Sequence, residues 1–344
     1  MAEMSWGKAA SYTLGIVSSL AIFSAILEAL GYNPATSIEG LASGSLGTAF
    51  LASETFSLMA PLLLAALAFL VPFRARFYNI GVEGQLYVGA LSGYLAASHL
   101  GGLPAALAVP AMLLAAAAGG VLWLALPLLM RIRLQVNEIF PTLVMNFIAL
   151  DLVNWLTAGP LKDPRSGNLQ TPPLPTSTWL PTIVKDTQFN AGVVILALAA
   201  LGVYVVMFRT VLGYEIRASG ANPRAARGAG IDVSRSIVAV GLMSGALAGL
   251  AGVVVISGVD HVLAQNFSPG YGYQGISVAA LGAFHPLGIV VSSLLYAALS
   301  VGGESLQQGS AAIPIQLVYA LQAIIVLSVL VVQKWIGDRG LGGR

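Results

Sequence analysis

Polar side chains set inside long apolar runs are the first place to look for chemistry, because a polar group at that depth is costly unless something bonds it. Asn146, Asp151 and Asn154 stand within one such run. At helical spacing they share a face ~140° wide, bordered by Trp155. The two amides suit a hydroxylated or heterocyclic solute, and they suit locking one helix to another equally well. Asp151 lies near the end of the run, where a carboxylate can reach water. Asn79, Glu83 and Gln85 open a second run among Gly81 and Gly84. There Glu83 can cap exposed amides, hold Arg74 or Arg76, or line a path. Tyr271, Tyr273 and Gln274 open a third run after Ser268-Pro269-Gly270. A ring beside an amide serves as an interfacial anchor or as a stacking surface for a base or sugar ring.

None of these groups makes a catalytic set. The chain has no Walker A sequence, no GxSxG elbow, no HExxH and no pair of histidines at helical spacing. Its three histidines (His99, His261, His285) are far apart and cysteine is absent. The expectation is therefore no metal, no cofactor and no enzymatic activity. Work driven by a nucleotide would need another chain to bind it.

Composition says where the runs sit. Of the 344 residues, 57% are hydrophobic and 9% charged, with a mean hydropathy of +0.85. Soluble domains carry roughly 25% charged residues, so this chain could not cover a water-facing surface. A net charge of +2 gives no reason to expect nucleic acid. The apolar runs are continuous rather than alternating, which excludes a β-barrel. The sequence predicts an all-α polytopic membrane protein with about ten spans, near 12–30, 55–72, 79–99, 104–130, 138–158, 189–208, 236–258, 273–284, 287–303 and 313–333. No separate cleavable signal is expected ahead of the first. Pro61, Pro110, Pro127 and Pro141 fall inside spans, where neighbouring helices can tolerate a kink.

With both termini cytoplasmic, every basic residue except Lys162, Arg165 and Lys185 faces inward, as the distribution of lysine and arginine requires. That rule also splits residues 273–303 at His285-Pro286, because one long helix would carry the basic C-terminal end outside. Ten spans divide into five plus five of opposite orientation, the arrangement of an inverted repeat. Gly81-Val82-Glu83-Gly84-Gln85 and Gly272-Tyr273-Gln274-Gly275-Ile276 match weakly across the halves. Residues 1–344 are read as a single transmembrane domain.

Three segments interrupt the pattern. Asn33–Glu54 is an outer segment of small residues, 159–188 an outer proline-rich loop, and 209–235 an inner loop with five arginines, its two ends included. The inner loop is longer than a connection needs. Asn222-Pro223 fits a helix start and Gly228 or Gly230 a helix end. The helix is either an anchor on anionic lipid or a docking element for a soluble partner. For docking, Glu215, Ser219, Gly220, Asn222, Pro223, Ala225, Ala226 and Gly230 are the candidate residues, with Ala225, Ala226 and Ala229 as a small face. Gly40–Gly47 and Gly245–Gly252 read as small-residue packing.

These motifs carry a resemblance. Asn79-Ile80-Gly81-Val82-Glu83-Gly84-Gln85 is similar to the permeases of ABC importers in the branched-chain amino acid, simple sugar and nucleoside superfamily. The run from Ala218 to Asp232 resembles its ATPase-contacting loop. Ala280-Leu281-Gly282-Ala283-Phe284-His285-Pro286-Leu287-Gly288 resembles its late turn, although relatives often carry arginine where this chain has Ala283. Val136-Asn137-Glu138, Met145–Leu150 and Gly159–Pro164 look like the longer nucleoside-type subunit. The resemblance implies an importer permease in the bacterial cytoplasmic membrane, translocating nucleosides by alternating access. The partners it implies are an ABC ATPase, a second, different permease, a lipid-anchored receptor and membrane lipid. Asn79, Glu83, Gln85, Asn146, Asn154, Tyr273 and Gln274 become candidates for the substrate path. A pentose-type sugar permease is the alternative within the class. A self-sufficient secondary transporter, coupled through Glu83 or Asp151, is the alternative outside it.

Overall fold

The computed structural model describes residues 6–309 and 313–338, and these are helical with no strand. The basic residues Arg339 and Arg344, on which the orientation of the C-terminus leaned, lie outside the described residues. Thirteen α-helices follow in order: α1 (Trp6–Ala29), α2 (Pro34–Leu46), α3 (Ala49–Phe73), α4 (Val82–His99), α5 (Ala105–Leu134), α6 (Ile139–Ala158), α7 (Gly192–Arg209), α8 (Val211–Ala221), α9 (Pro223–Gly228), α10 (Val233–Val255), α11 (Tyr271–Leu281), α12 (Pro286–Gln308) and α13 (Ile315–Asp338). Each of the ten expected stretches coincides with one of them. Seven spans are long and apolar enough to cross a bilayer: α3, α5, α6, α7, α10 with the turn that follows it, α12 and α13. The described part of α1 and α2 passes that test only as a pair, bent by 118°. α4 and α11 do not pass it. α11 is too short, and α4 carries Glu83, Gln85 and His99 in a helix of 18 residues.

Two helices correct the sequence reading. The segment Asn33–Glu54 is not simply a loop of small residues: Asn33 accepts from the amides of Ala35 and Thr36, and Pro34 starts α2 at its first turn. The inner loop holds α8 as well as α9. Thr210 caps α8 by accepting from the Gly213 amide. The split at His285-Pro286 is present, since α11 ends at Leu281 and α12 begins at Pro286.

The described residues form two compact units. In the first, which runs up to Thr55 and resumes at Leu294, α1 lies along α13, and a side chain at Gly15 would strike the Val329 backbone. Gly44 meets Ser305, and Gly302 meets the Leu41 carbonyl, so the glycines of α2 serve helix packing. Gln322 donates to the Ser300 hydroxyl at 3.0 Å.

In the second unit, Phe56–Ser293, α4 is the centre, packed on α5, α6, α10 and α11. Small residues make this possible. A Cβ at Gly89 of α4 would collide with Gly249 of α10, and one at Gly249 would collide with the Ala116 carbonyl of α5. Three backbones thus approach as closely as backbones can. The proline-rich loop 159–188 is folded onto the end of α10. Leu174 and Leu180 donate from their amides to the carbonyls of His261 and Ser257, while the Trp179 ring stacks on His261 at 3.7 Å. Here α10 ends in a wide turn, Ile256–Asp260.

Candidate functional site

Four of the seven path candidates meet where α4, α6, α10 and α11 come together, and each is held by hydrogen bonds to side chains or backbone there. Asn79 donates to the Ser244 hydroxyl at 2.8 Å and to Gln85 Oε1 at 3.0 Å. Its own Oδ1 accepts from Gln85 Nε2 and from the Gly81 amide, both at 3.0 Å. Ser244 passes its proton on to the Ala68 carbonyl at 2.6 Å, which ties α3 to the same knot. Asn146 accepts from the Gly84 amide at 2.8 Å and donates to the Ile80 carbonyl at 2.9 Å and the Tyr273 hydroxyl at 3.1 Å. Asn79, Glu83, Gln85 and Asn146 are all buried. An amide whose donors and acceptors are already used has little left for a solute.

Glu83 takes the capping role. Its Oε2 accepts from the Gly272 amide at 2.6 Å, and the Ser268 hydroxyl accepts from the Gly270 and Tyr271 amides. The first turn of α11 is therefore satisfied from outside its own helix, as helix starts require. A side chain at Gly272 would strike the Glu83 backbone. The two segments that match weakly in sequence therefore touch at the starts of α4 and α11. Neither Arg74 nor Arg76 pairs with Glu83 among the described residues.

Gln274 and Asn154 stand apart from this knot, and Tyr273 lies at its edge. Tyr273 keeps 38% of its surface exposed although its hydroxyl is held by Asn146. Gln274 is half-buried and donates to the Pro269 carbonyl at 3.3 Å. Asn154 pairs with Asn266 through both its amide groups in a water-accessible contact. Asp151 and Trp155 are both exposed.

At the opposite end, Asn222 caps α9 by accepting from the Arg224 and Ala225 amides, and Gly230 takes a φ of +81° after the helix stops. The helix start and stop fall where the sequence put them. The face does not. Ala225 and Ala229 are exposed, whereas Ala226 is buried against its own chain, as are Ser219 and Gly220. A Cβ at Gly220 would collide with the Arg74 carbonyl. Asn222 and Gly230 are exposed, while Glu215 and Pro223 are partly so.

Sequence reasoning missed what lies beside this loop. Arg74, just past α3, donates to the Phe284 carbonyl, and the Phe73 and Phe284 rings stack at 4.0 Å. Ala283 and Phe284 both adopt positive φ in the turn between α11 and α12. Arg217 of α8 lies over the Phe208 ring, which also contacts the His285 ring at 5.2 Å. Burial, and then the nearby Arg217 charge, pull the Arg74 pKa down. Burial, and then the Arg74 charge, do the same to His285. Two adjacent non-glycine residues at positive φ leave no signature in a single sequence, so this junction was not legible there. The described residues hold no cluster of three metal-ligating side chains.

A bundle of long apolar helices with a capped, arginine-rich loop between two of them is the build of a transporter's membrane part. The model of the family described as branched-chain amino acid transport system, permease component, matches residues 51–330. The chain belongs to this family. Among curated relatives, the glucose ABC transporter permease of Haloferax volcanii is 33% identical over 91% of this chain and 85% of its own. The guanosine ABC transporter permease of Bacillus subtilis is 32% identical over 92% and 91%. A nucleoside ABC transporter permease of Lactococcus lactis is 29% identical over 92% and 89%. This permease is thus a multi-pass protein of the cell membrane.

Proposed function

We propose that this permease imports nucleosides as one half of the membrane path of an ATP-driven ABC importer. The observation that carries the substrate class is the near end-to-end match to the guanosine and nucleoside permeases. The Val136-Asn137-Glu138 and Gly159–Pro164 segments support the same choice. The glucose permease matches as well, so a sugar is the second reading. Its partners are an ABC ATPase that binds and hydrolyses the nucleotide, a substrate receptor with a lipid anchor, and a second, different permease that completes the path. The whole chain acts as one transmembrane domain with ten crossings in two inverted sets of five. Both ends lie in the cytoplasm.

The geometry suggests how force reaches the path. α9 docks on the ATPase through Asn222, Pro223, Ala225 and Gly230, with Glu215 nearby, while Ser219, Gly220 and Ala226 fix it to the bundle from beneath. Gly220 presses on the Arg74 carbonyl, and Arg74 holds Phe284 at the foot of α11. The head of α11 is held by Glu83 and Asn146. A shift of the docking helix is therefore relayed to α11, whose Tyr273 and Gln274 face the solute. Asn79, Gln85 and Asn146 position the path without touching what passes through it. Asn154 marks its outer end.

Uptake of labelled guanosine, uridine and ribose by cells carrying the complete transporter tests the substrate. Transport of ribose without either nucleoside removes the nucleoside reading in favour of the sugar. Single cysteines at Arg165, Lys185, Arg224 and Arg339, in a chain with none of its own, test the crossings. Labelling of Arg339→Cys by an impermeant reagent from outside removes the ten-span count.

A further inference from the structure

A cavity of about 500 Å³ opens where α3 and α5 end and α6 and α10 begin. Its wall holds Arg76, Arg131, Arg227, Tyr78, Glu138 and Ser234. We propose that this pocket binds a phosphate ester. Its size lies within the range of small-molecule sites, roughly 300–1,000 Å³.

The sign of the site follows from counting what is already used. Glu138, the only carboxylate on the wall, is buried and committed. Its Oε1 accepts from the Tyr78 amide at 2.9 Å, and its Oε2 lies 3.3 Å from Arg131 Nε. That contact leaves the terminal donors of Arg131 free of it. Arg76 and Arg227 are exposed and form no ion pair among the described residues. Helix ends do not reverse this balance. Each end contributes about half a charge, and here two starts oppose two finishes. With Arg131 set against Glu138, the wall keeps the positive charges of Arg76 and Arg227, and guanidinium is the group best shaped for phosphate oxygens.

Arg76 also stands where thrift alone would not put it. It closes α3 at φ +55°, with its amide bonding the Phe73 carbonyl and the Phe77 amide reaching the Pro72 carbonyl. Glycine is the usual residue at such a position. Gln135, which ends α5 on the same wall, is also at φ +55°. Both helix ends give up the easy residue for a side chain that reaches the cavity.

A phosphate ester has two sources at this place. Leu134, Ile139 and Phe140 are exposed on the same helix ends, so the headgroup of an anionic phospholipid could enter with its chains along them. A soluble phosphate monoester could enter from the water side. The full chain in detergent micelles is titrated with phosphatidylglycerol against phosphatidylcholine by native mass spectrometry, and with glycerol 3-phosphate against glycerol by calorimetry. The wild type should bind phosphatidylglycerol or glycerol 3-phosphate, and the arm that responds names the source. Arg76→Gln/Arg227→Gln should lose that affinity at least tenfold. Arg165→Gln/Lys185→Gln, which removes the same charge from the outer loop, should keep it. Arg227→Gln alone, at an exposed position, gives the same direction should the double variant not fold. The proposal is overturned if the wild type binds neither probe, if the Arg76/Arg227 change has no effect, or if the outer pair costs as much. It stands whichever solute the permease carries.

Discussion

The head of α4 and the loop Arg209–Arg235 both interrupt an apolar pattern with polar residues, yet they treat those residues in opposite ways. Around α4, Asn79, Gln85, Asn146 and Glu83 are buried and bonded to one another, to Ser244 or to backbone. In the loop and beside it, Arg76, Arg224 and Arg227 are exposed with no ion pair among the described residues. A closed set of hydrogen bonds holds helices together. An open set of charges waits for something outside the chain. The difference separates polar residues that shape this permease from those that meet its surroundings, and residue type alone does not make it.

The sealed region should fail hardest when its helices are wedged apart. Gly249→Leu places a branched side chain where α10 lies against the backbones of α4 and α5. Overpacking commonly costs about 1–3 kcal/mol, and contacts with backbone have the least room to yield. Loss of monodisperse protein in size-exclusion chromatography is expected, while Gly202→Leu on α7, with nothing near its added carbon, should behave as wild type. If both express and melt alike, close approach of backbones does not hold α4 in place.

A smaller loss is expected from Asn146→Leu. It leaves the Gly84 amide, the Ile80 carbonyl and the Tyr273 hydroxyl without this partner. Each buried group left unsatisfied costs about 1–3 kcal/mol, although bonds between membrane helices often measure at the lower end. Melting temperature should fall by several degrees. Asn154→Leu, at a water-accessible pair, should leave it nearly unchanged. A variant of Asn146 that melts normally but no longer transports would move this residue from the frame into the path.

The helices were legible because apolar length is a strong signal, and the break before Pro286 was legible because proline and the charge rule agree there. The start of α2 used the same Asn-Pro signature as α9, but it follows an apolar run so closely that it read as loop. What could not be read was satisfaction. A single sequence shows that Asn146 is an amide in an apolar stretch, but it does not show that Ile80, Gly84 and Tyr273 converge on it. Ser244 was hidden for the same reason, as a small residue in a glycine-rich helix. Ala226 was assigned to an outward face because a six-residue helix offers too little periodicity to tell its two sides apart.

That last error gives the comparison an edge on the open side. Ala226→Trp inserts a ring into a position buried within the chain and should lower stability of the permease itself. Ala225→Trp changes an exposed position and should leave melting within about a degree. If α9 docks as proposed, Ala225→Trp should reduce co-purification of the ATPase about tenfold, equivalent to about 1.4 kcal/mol. Unchanged capture at normal expression would mean that this face of α9 meets lipid instead, where tryptophan is welcome.

The smallest effect is expected at the junction between the two regions, where His285 sits. Its Nδ1 accepts from the Leu287 amide at the start of α12, so the cap requires a neutral ring. Its pKa is pulled below the ordinary 6.5 first by burial and then by the Arg74 charge. The charge that acts on it is that of Arg74, and the Phe208 and Tyr204 rings lie against it. The unfolded chain therefore takes up the proton first as pH falls. Stability from this group is fully present above pH 6.5 and declines as the pH drops below it. His261 shifts in the same direction, again chiefly through burial, so part of the decline belongs to the turn that ends α10. His285→Asn removes the titration while asparagine can still cap the helix. Melting temperatures at pH 7.5, 6.5 and 5.5 should fall less steeply in that variant than in the wild type. Parallel curves would show that the junction does not sense protons, and would leave its ring contacts and the Arg74 bond to Phe284 to hold it.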